Sequence, residues 1–348
     1  MPLREGERRE TVSVLTQPMN PLDLTRNLVQ AESPTGAEGP AVDLMHQQLE
    51  ALGWHVTRQE VTPGRDNLYA LLPSSPRLVF STHLDCVPPY VPFREDDENL
   101  YGRGTCDAKG LAAAMVAAAE QLRSEGEQRI GLLFVVGEEV ASDGAIAAAA
   151  LEPKGRYLVN GEPTEGKLCI GQKGTLGAEL RMTGRAAHSG YPDEGISAID
   201  PLLDTLERIR RMPLPSDPQL GTATLNIGQI RAGSAPNVIP GEAMARVLFR
   251  TVGADADLRR QLEAALAQGM SITYLTSLPC WRGTPLDGWD TTIVAYASDL
   301  PNHEGWGERY QLGPGTIRLA HTAEERIGKQ ELLRGVAAYV RLARQLLA

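Results

Sequence analysis

The sequence predicts an α/β protein in which a mixed, mostly parallel sheet is flanked by helices, with a second, α+β unit inserted in its later half. Three observations carry this. The apolar run "IGLLFVVGEE" (130–139) lacks alternation, which is how a strand buried on both faces of a parallel sheet reads. The Ala-rich "GLAAAMVAAAEQLRSEG" (110–126) makes a helix whose small side chains allow close packing on such a sheet. At 348 residues the chain also exceeds the size one hydrophobic core serves well, so two domains are expected.

The elements follow in order. "PAVDLMHQQLEALG" (40–53) has apolar positions at helical spacing and stops at a Gly. Strands are predicted at 55–61, 67–72 and 77–83, then the Ala-rich helix, the strand at 130–139 and another at 156–163, "RYLVNGEP". From residue 174 the texture changes to strand 174–184, helix 198–212, strands 222–233 and 242–252, helix 254–268 and strand 270–278. That β-α-β-β-α-β order is the split-βαβ, ferredoxin-like unit. The chain then returns to its first domain through a strand near 308–314 and a final amphipathic helix, so residues 1–173 and 284–348 are expected to form one domain and 174–283 the other.

Acidic residues outnumber basic ones, 44 to 34, and no basic cluster stands out, which argues against nucleic acid or an anionic membrane as partner. A small molecule suits better. The polar start "MPLREGERRETVSV" and the lack of any run of about 18 apolar residues imply a cytoplasmic protein. Cys86, Cys106, Cys169 and Cys280 are widely spaced without CxxC pairing, so reduced, mostly buried thiols are expected.

The chemistry begins at "STHLD", where His83 and Asp85 follow a predicted strand. Residues i and i+2 of a strand share a face, so Asp85 can take one ring N–H of His83 and leave the other nitrogen for a metal. A strand-end histidine with a local hydrogen bond has the same signature. More carboxylates then occur at strand ends or the loops beyond, which is where open α/β sheets bind ligands: Asp107 in "LYGRGTCDAKG", Glu138 and Glu139 in "VVGEE", and Glu162 in "VNGEPT". Each alone could be a cap or a surface charge. Together they are harder to dismiss, because carboxylates that follow long buried strands are costly unless a cation or another partner awaits them. His321, in "GPGTIRLAHTAEE", follows the last predicted strand.

These motifs, with "GRAAHSG" and "APNVIP", resemble those of the co-catalytic zinc deacylases and exopeptidases that include acetylornithine deacetylase, succinyl-diaminopimelate desuccinylase and glutamate carboxypeptidases. They run in that family's order over nearly the whole chain. The resemblance implies a zinc-exopeptidase-like catalytic domain and a lid that dimerises. It implies two Zn²⁺ per subunit, with Co²⁺ or Mn²⁺ as substitutes: His83 on one, His321 on the other, Asp107 bridging, and Glu139 and Glu162 completing one set each. Glu138 becomes the general base and Asp85 the orienter of His83.

In the lid, the resemblance makes His188 a residue that crosses to the partner's active site of a homodimer, and Asn237 and Arg250 substrate-binding residues. Gly313 and Gly315 are expected to offer backbone N–H groups to the substrate, although turn geometry alone would also explain two glycines in "LGPGT". The closest branch is that of acetylornithine deacetylase, which implies removal of an acetyl group from an N-acyl amino acid such as N-acetylornithine, N-acetyllysine or N-acetylcitrulline. A dipeptidase or carboxypeptidase is the nearest alternative. "YASDLPNHEG" resembles a Ser/Thr-Asp stretch of relatives but lacks the Arg that follows it in desuccinylases, which argues against succinyl-diaminopimelate.

Overall fold

A computed structural model describes residues 19–348. The chain opens with helices α1 (Pro21–Gln30) and α2 (Gly39–Ala51) and strands β1 (His55–Thr62), β2 (Arg65–Leu71) and β3 (Leu78–His83). Next come α3 (Lys109–Ser124), β4 (Ile130–Val135), α4 (Asp143–Ala148), β5 (Tyr157–Asn160) and β6 (Leu168–Gln172). The inserted unit comprises β7 (Gly174–Thr183), α5 (Ile199–Arg210), β8 (Thr224–Ala232), β9 (Glu242–Thr251), α6 (Ala256–Ala265) and β10 (Ser271–Leu278). Then follow β11 (Trp281–Arg282), β12 (Thr291–Val294), β13 (Glu308–Gln311) and α7 (Lys329–Leu347).

The large sheet runs β1-β2-β4-β3-β5-β13-β6-β11, with β12 also on β6. Its centre, β4-β3-β5-β13, is parallel, and antiparallel pairings flank it. Both faces are covered, which explains the unbroken apolar run of β4. Phe80, Leu132 and Val159 point into the core shared with α1, α2, α3 and α7, while Val79, Leu133 and Leu158 face α4, Trp281 and Trp306. The alanines of α3 let it sit between the sheet and α1 and α7: Ala112, Ala113, Ala114, Ala118 and Ala119 are wholly buried.

The inserted unit forms a separate antiparallel sheet in the order β8-β9-β7-β10. Its two helices cover one face through Leu202, Leu206, Ile209, Leu258 and Leu262, packed on Leu176, Leu180 and Phe249. The chain leaves the large sheet at Gln172 and returns at Trp281, which pairs with that same residue.

Some local expectations need correction. The strand expected to reach residue 139 stops at Val135, and Gly137, at φ +78°, turns the chain so that Glu138 and Glu139 lie in a loop. The expected strand 156–163 stops at Asn160, so Glu162 also lies beyond a strand end. Helices α1 and α4 and strand β6 were not read from the sequence.

Candidate metal centre

The four central strands point the same way, and the site lies beyond their carboxyl ends. His83 is the last residue of β3 and is 1% exposed. Its Nδ1 lies 3.0 Å from the backbone oxygen of Asp85 and 3.4 Å from Asp85 Oδ1, and its Nε2 lies 3.1 Å from Asp107 Oδ1. The ring N–H therefore goes to Asp85, mainly to its carbonyl. The Asp85 carboxylate accepts from the backbone N–H groups of Glu138 (3.1 Å) and Glu139 (3.2 Å) and from Thr35 Oγ1 (2.8 Å). One carboxylate thus steadies both the histidine and the loop with the two glutamates.

Asp107 sits in the loop before α3. On the far side of the site, His321 adopts φ +62°, a conformation that costs a non-glycine residue about 1 kcal/mol or more. The turn carries His321 Nε2 to 3.4 Å from Asp107 Oδ2 and 3.1 Å from Glu139 Oε1. The donor atoms fall into two groups, His83, Asp107 and Glu162, and Asp107, Glu139 and His321, with each group's atoms within 4.8 Å of one another. Asp107 belongs to both and turns one oxygen to each histidine. Nitrogen and carboxylate donors so arranged fit a pair of divalent cations of the zinc type.

The electrostatics agree. Burial, reinforced by neighbouring carboxylates, pushes Glu138, Glu139 and Glu162 above the usual carboxylate range. Burial opposes a charge on His83, yet Asp107 and Asp85 hold its pKa well above the ordinary value, and Asp107 and Glu139 raise that of His321 to about 10. Against burial, the two histidines hold Asp107 below its usual range. The cluster is rich in negative charge and short of cations.

The profile described as Peptidase family M20/M25/M40 matches residues 79–345. The chain belongs to this family. It is 36% identical over 345 residues to a peptidase M20 domain-containing protein of Schizosaccharomyces pombe, covering 95% of this chain and 86% of that one. A probable carboxypeptidase of Aspergillus terreus is 35% identical over 369 residues, covering 92% and 85%. Among solved structures, a tripeptidase from Staphylococcus aureus superposes with a TM-score of 0.78 at 22% identity, covering 95% of this chain and 99% of that one. An M20 family metallo-carboxypeptidase from Sulfolobus solfataricus gives 0.76 at 15% identity, covering 94% and 99%. This M20 peptidase is therefore a hydrolase of amide bonds.

Around the centre the other expected residues divide. Arg250 is half-buried on β9, donates from Nη1 to Thr175 Oγ1 at 2.8 Å, and lines a cavity of about 490 Å³ with Pro163, Glu165, Tyr296 and Arg318. Burial lowers its pKa, the charge of Glu138 opposes that shift, and no carboxylate forms an ion pair with it among the described residues. His188 and Asn237 lie together on the inserted unit: Ser189 N donates to Asn237 O at 3.0 Å, and the exposed His188 ring stands edge-on to Tyr191. The structure does not join them to the two donor groups.

The glycine expectation fails. Gly313 N donates to Thr164 Oγ1 at 3.0 Å and Gly315 N to Glu331 Oε1 at 2.9 Å, so neither N–H is free for a substrate. They are glycines for want of room, since a Cβ would meet Glu162 O at 2.4 Å and Cys106 Sγ at 2.6 Å respectively.

The sequence reading missed Glu325. Its Oε1 accepts from the N–H groups of Gly104 (2.8 Å), Cys106 (3.2 Å) and Asp107 (3.2 Å), and its Oε2 meets buried Arg103 at 2.6 Å. The only signal was its place in "HTAEER", beside His321. Glu325→Ala leaves Arg103 and three N–H groups without their partner, so it is expected to cost about 3–5 kcal/mol in denaturant unfolding. Asp85→Ala frees both His83 and the glutamate loop, and is expected to weaken zinc affinity by about 10- to 100-fold in calorimetric titration.

Proposed function

We propose that this M20 peptidase is a two-zinc exopeptidase that cleaves the amide bond next to a free carboxylate, as a carboxypeptidase or dipeptidase does. The observation that carries this reading is Asp107 shared between two histidine-carboxylate groups, with Glu138 beside them. His83, Asp107 and Glu162 would hold one ion, and Asp107, Glu139 and His321 the other. When bound, such ions polarise a carbonyl and lower the pKa of an attacking water.

The protein's own groups do the rest. Glu138, starting as the carboxylate and with its proton affinity raised by burial, takes the proton of the water and passes it to the leaving amine. Arg250, half-buried and without a carboxylate partner among the described residues, grips the substrate's carboxylate in a fork. Asn237 and His188 act from the inserted unit, with His188 serving the site of a second copy of the chain. A monomer mass by light scattering under assay conditions would remove that last role.

Support for peptides over N-acetylated amino acids comes from the carboxypeptidase and tripeptidase relatives and from the cavity. Two guanidinium groups, Arg250 and Arg318, line it against one carboxylate, Glu165, which already meets Lys167 at 3.2 Å. A basic side chain, as in N-acetylornithine or N-acetyllysine, is poorly matched to that lining. The test is a panel of dipeptides, tripeptides and N-acetyl, N-succinyl and N-formyl amino acids with zinc-loaded enzyme. Peptides are expected to lead in kcat/KM; faster release of acetate from the N-acetyl compounds would reverse the order.

A further inference from the structure

The strands that deliver His83 and Glu162 carry a second polar layer directly beneath. Ser81 lies two residues before His83 on the same face of β3, and Asn160 two residues before Glu162. In the parallel register Ser81 stands beside Asn160, and Asn160 beside Gln311 of β13. All three are buried, at 0%, 2% and 0% exposure. Ser81 Oγ, Asn160 Nδ2 and Gln311 Nε2 nonetheless have no hydrogen-bond partner among the described residues. An orphan polar atom in a dry interior is costly, so such a row needs something to bond to.

Two more orphans close the layer from above. Asp299, in "YASDLPNHEG", is 2% exposed and its Oδ1 is unpartnered; Ser142, 0% exposed, has an unpartnered Oγ. The preceding Ser298 anchors the segment, its Oγ lying 2.7 Å from Oε1 of both Gln172 and Gln311. The helix that begins just after Ser142 packs against the turn at residues 300–302 that follows Asp299. Burial pushes the Asp299 carboxyl up to about 7, and Ser142 and His83 work against that shift. Ser142 ends the turn that bears the two glutamates: its backbone sits at φ +53° and its N–H donates to Gly137 O at 2.8 Å. That turn is therefore held by Asp85 at Glu138 and Glu139 and bordered by Asp299 at Ser142.

We propose that Asp299 is a positioning residue, which, with Ser142 and water bonded to the Ser81, Asn160 and Gln311 row, fixes the turn that presents Glu138 and Glu139. Water suits this layer because the orphans include both N–H donors and oxygens, and a buried water typically satisfies about three such groups. A cation does not suit it, since the two amide N–H₂ groups would face it with positive charge. Asp299 belongs to neither donor group and acts through the turn.

The inference rests on the roles given above to Glu138 and Glu139. Its test is a double-mutant cycle of Asp299→Asn and Ser142→Ala, read by steady-state kinetics on the best peptide and by calorimetric titration with zinc. Asp299→Asn is expected to lower kcat by about 10- to 100-fold with KM within about twofold, and to weaken zinc binding over a similar range. The double variant is expected to be no worse than Asp299→Asn alone, because both residues act on one turn. A kcat within about threefold of the parent, or losses that multiply in the double variant, would overturn the proposal. Should Asp299→Asn fail to fold, Ser142→Ala decides: a loss of about tenfold in kcat or zinc affinity supports the proposal, and parental values for both overturn it. If the parent hydrolyses no amide at all, the proposed function falls, while the zinc titrations still judge this inference.

Discussion

Replacing Glu138 by Gln is expected to reduce kcat by about 10²- to 10⁴-fold, the range lost with a general base, while the protein still binds zinc. The geometry sets this apart from the effect of removing a ligand. Glu138 belongs to neither donor group, and its backbone N–H is anchored to Asp85 at 3.1 Å whatever its side chain carries. The Gln side chain keeps the shape but cannot take up the proton of water. Metal analysis and kinetics on the same preparation check the point. A variant that loses metal together with activity would reassign Glu138 as a ligand, and one with parental kcat would remove it from the chemistry.

Stripping the metal is expected to lower Tm by roughly 10 °C or more when the loaded form is measured well above Kd, and the gap is expected to widen with pH. The sign follows from the groups around the site. Glu138, Glu139 and Glu162 are raised above 4.5 by burial, and His83 and His321 above 6.5, the latter to about 10. Each binds protons more tightly folded than unfolded, so the stability it lends at low pH is lost as pH rises through its folded value. Asp107 works in the opposite sense, but only as pH falls below its ordinary 3.8. From about pH 5 to pH 9 the metal-free fold should therefore weaken. Metal binding needs deprotonated ligands and strengthens over the same interval. Thermal melts with and without chelator across that range are the measurement, and a gap that narrows with pH would contradict the assignment of these groups to the metals.

Much of the architecture was legible because it is written in local pattern. The unbroken apolar run at β4 announced a sheet covered on both faces, and the order of elements from 174 to 278 announced the inserted unit. His83, Asp107, Glu139, Glu162 and His321 could be picked out because each sits where a strand or its loop ends in a recognisable motif. Helix α1 also carried a signal, with Asn20 as cap and Pro21 in the first turn, but only ten residues of pattern behind it. What could not be read is what depends on partners distant in sequence. Glu325 looks like any surface glutamate until the fold brings it over the backbone of residues 104 to 107. Gly313 and Gly315 suggested open N–H groups, yet Thr164 and Glu331, from other parts of the chain, already occupy them. Asp299 and Ser142 are likewise two ordinary residues until the turn beside them is seen.

The inserted unit splits the donor set: His83, Asp107, Glu139 and Glu162 precede it in the chain, and His321 follows it. In a growing polypeptide one histidine-carboxylate group can thus come together early, while the other waits until the inserted unit has been made. Products that stop before residue 321 also lack Glu325, the clasp on the Asp107 loop. Such a fragment keeps the first donor group but has only Asp107 and Glu139 of the second, so the two halves of the site differ in how much of the chain they require.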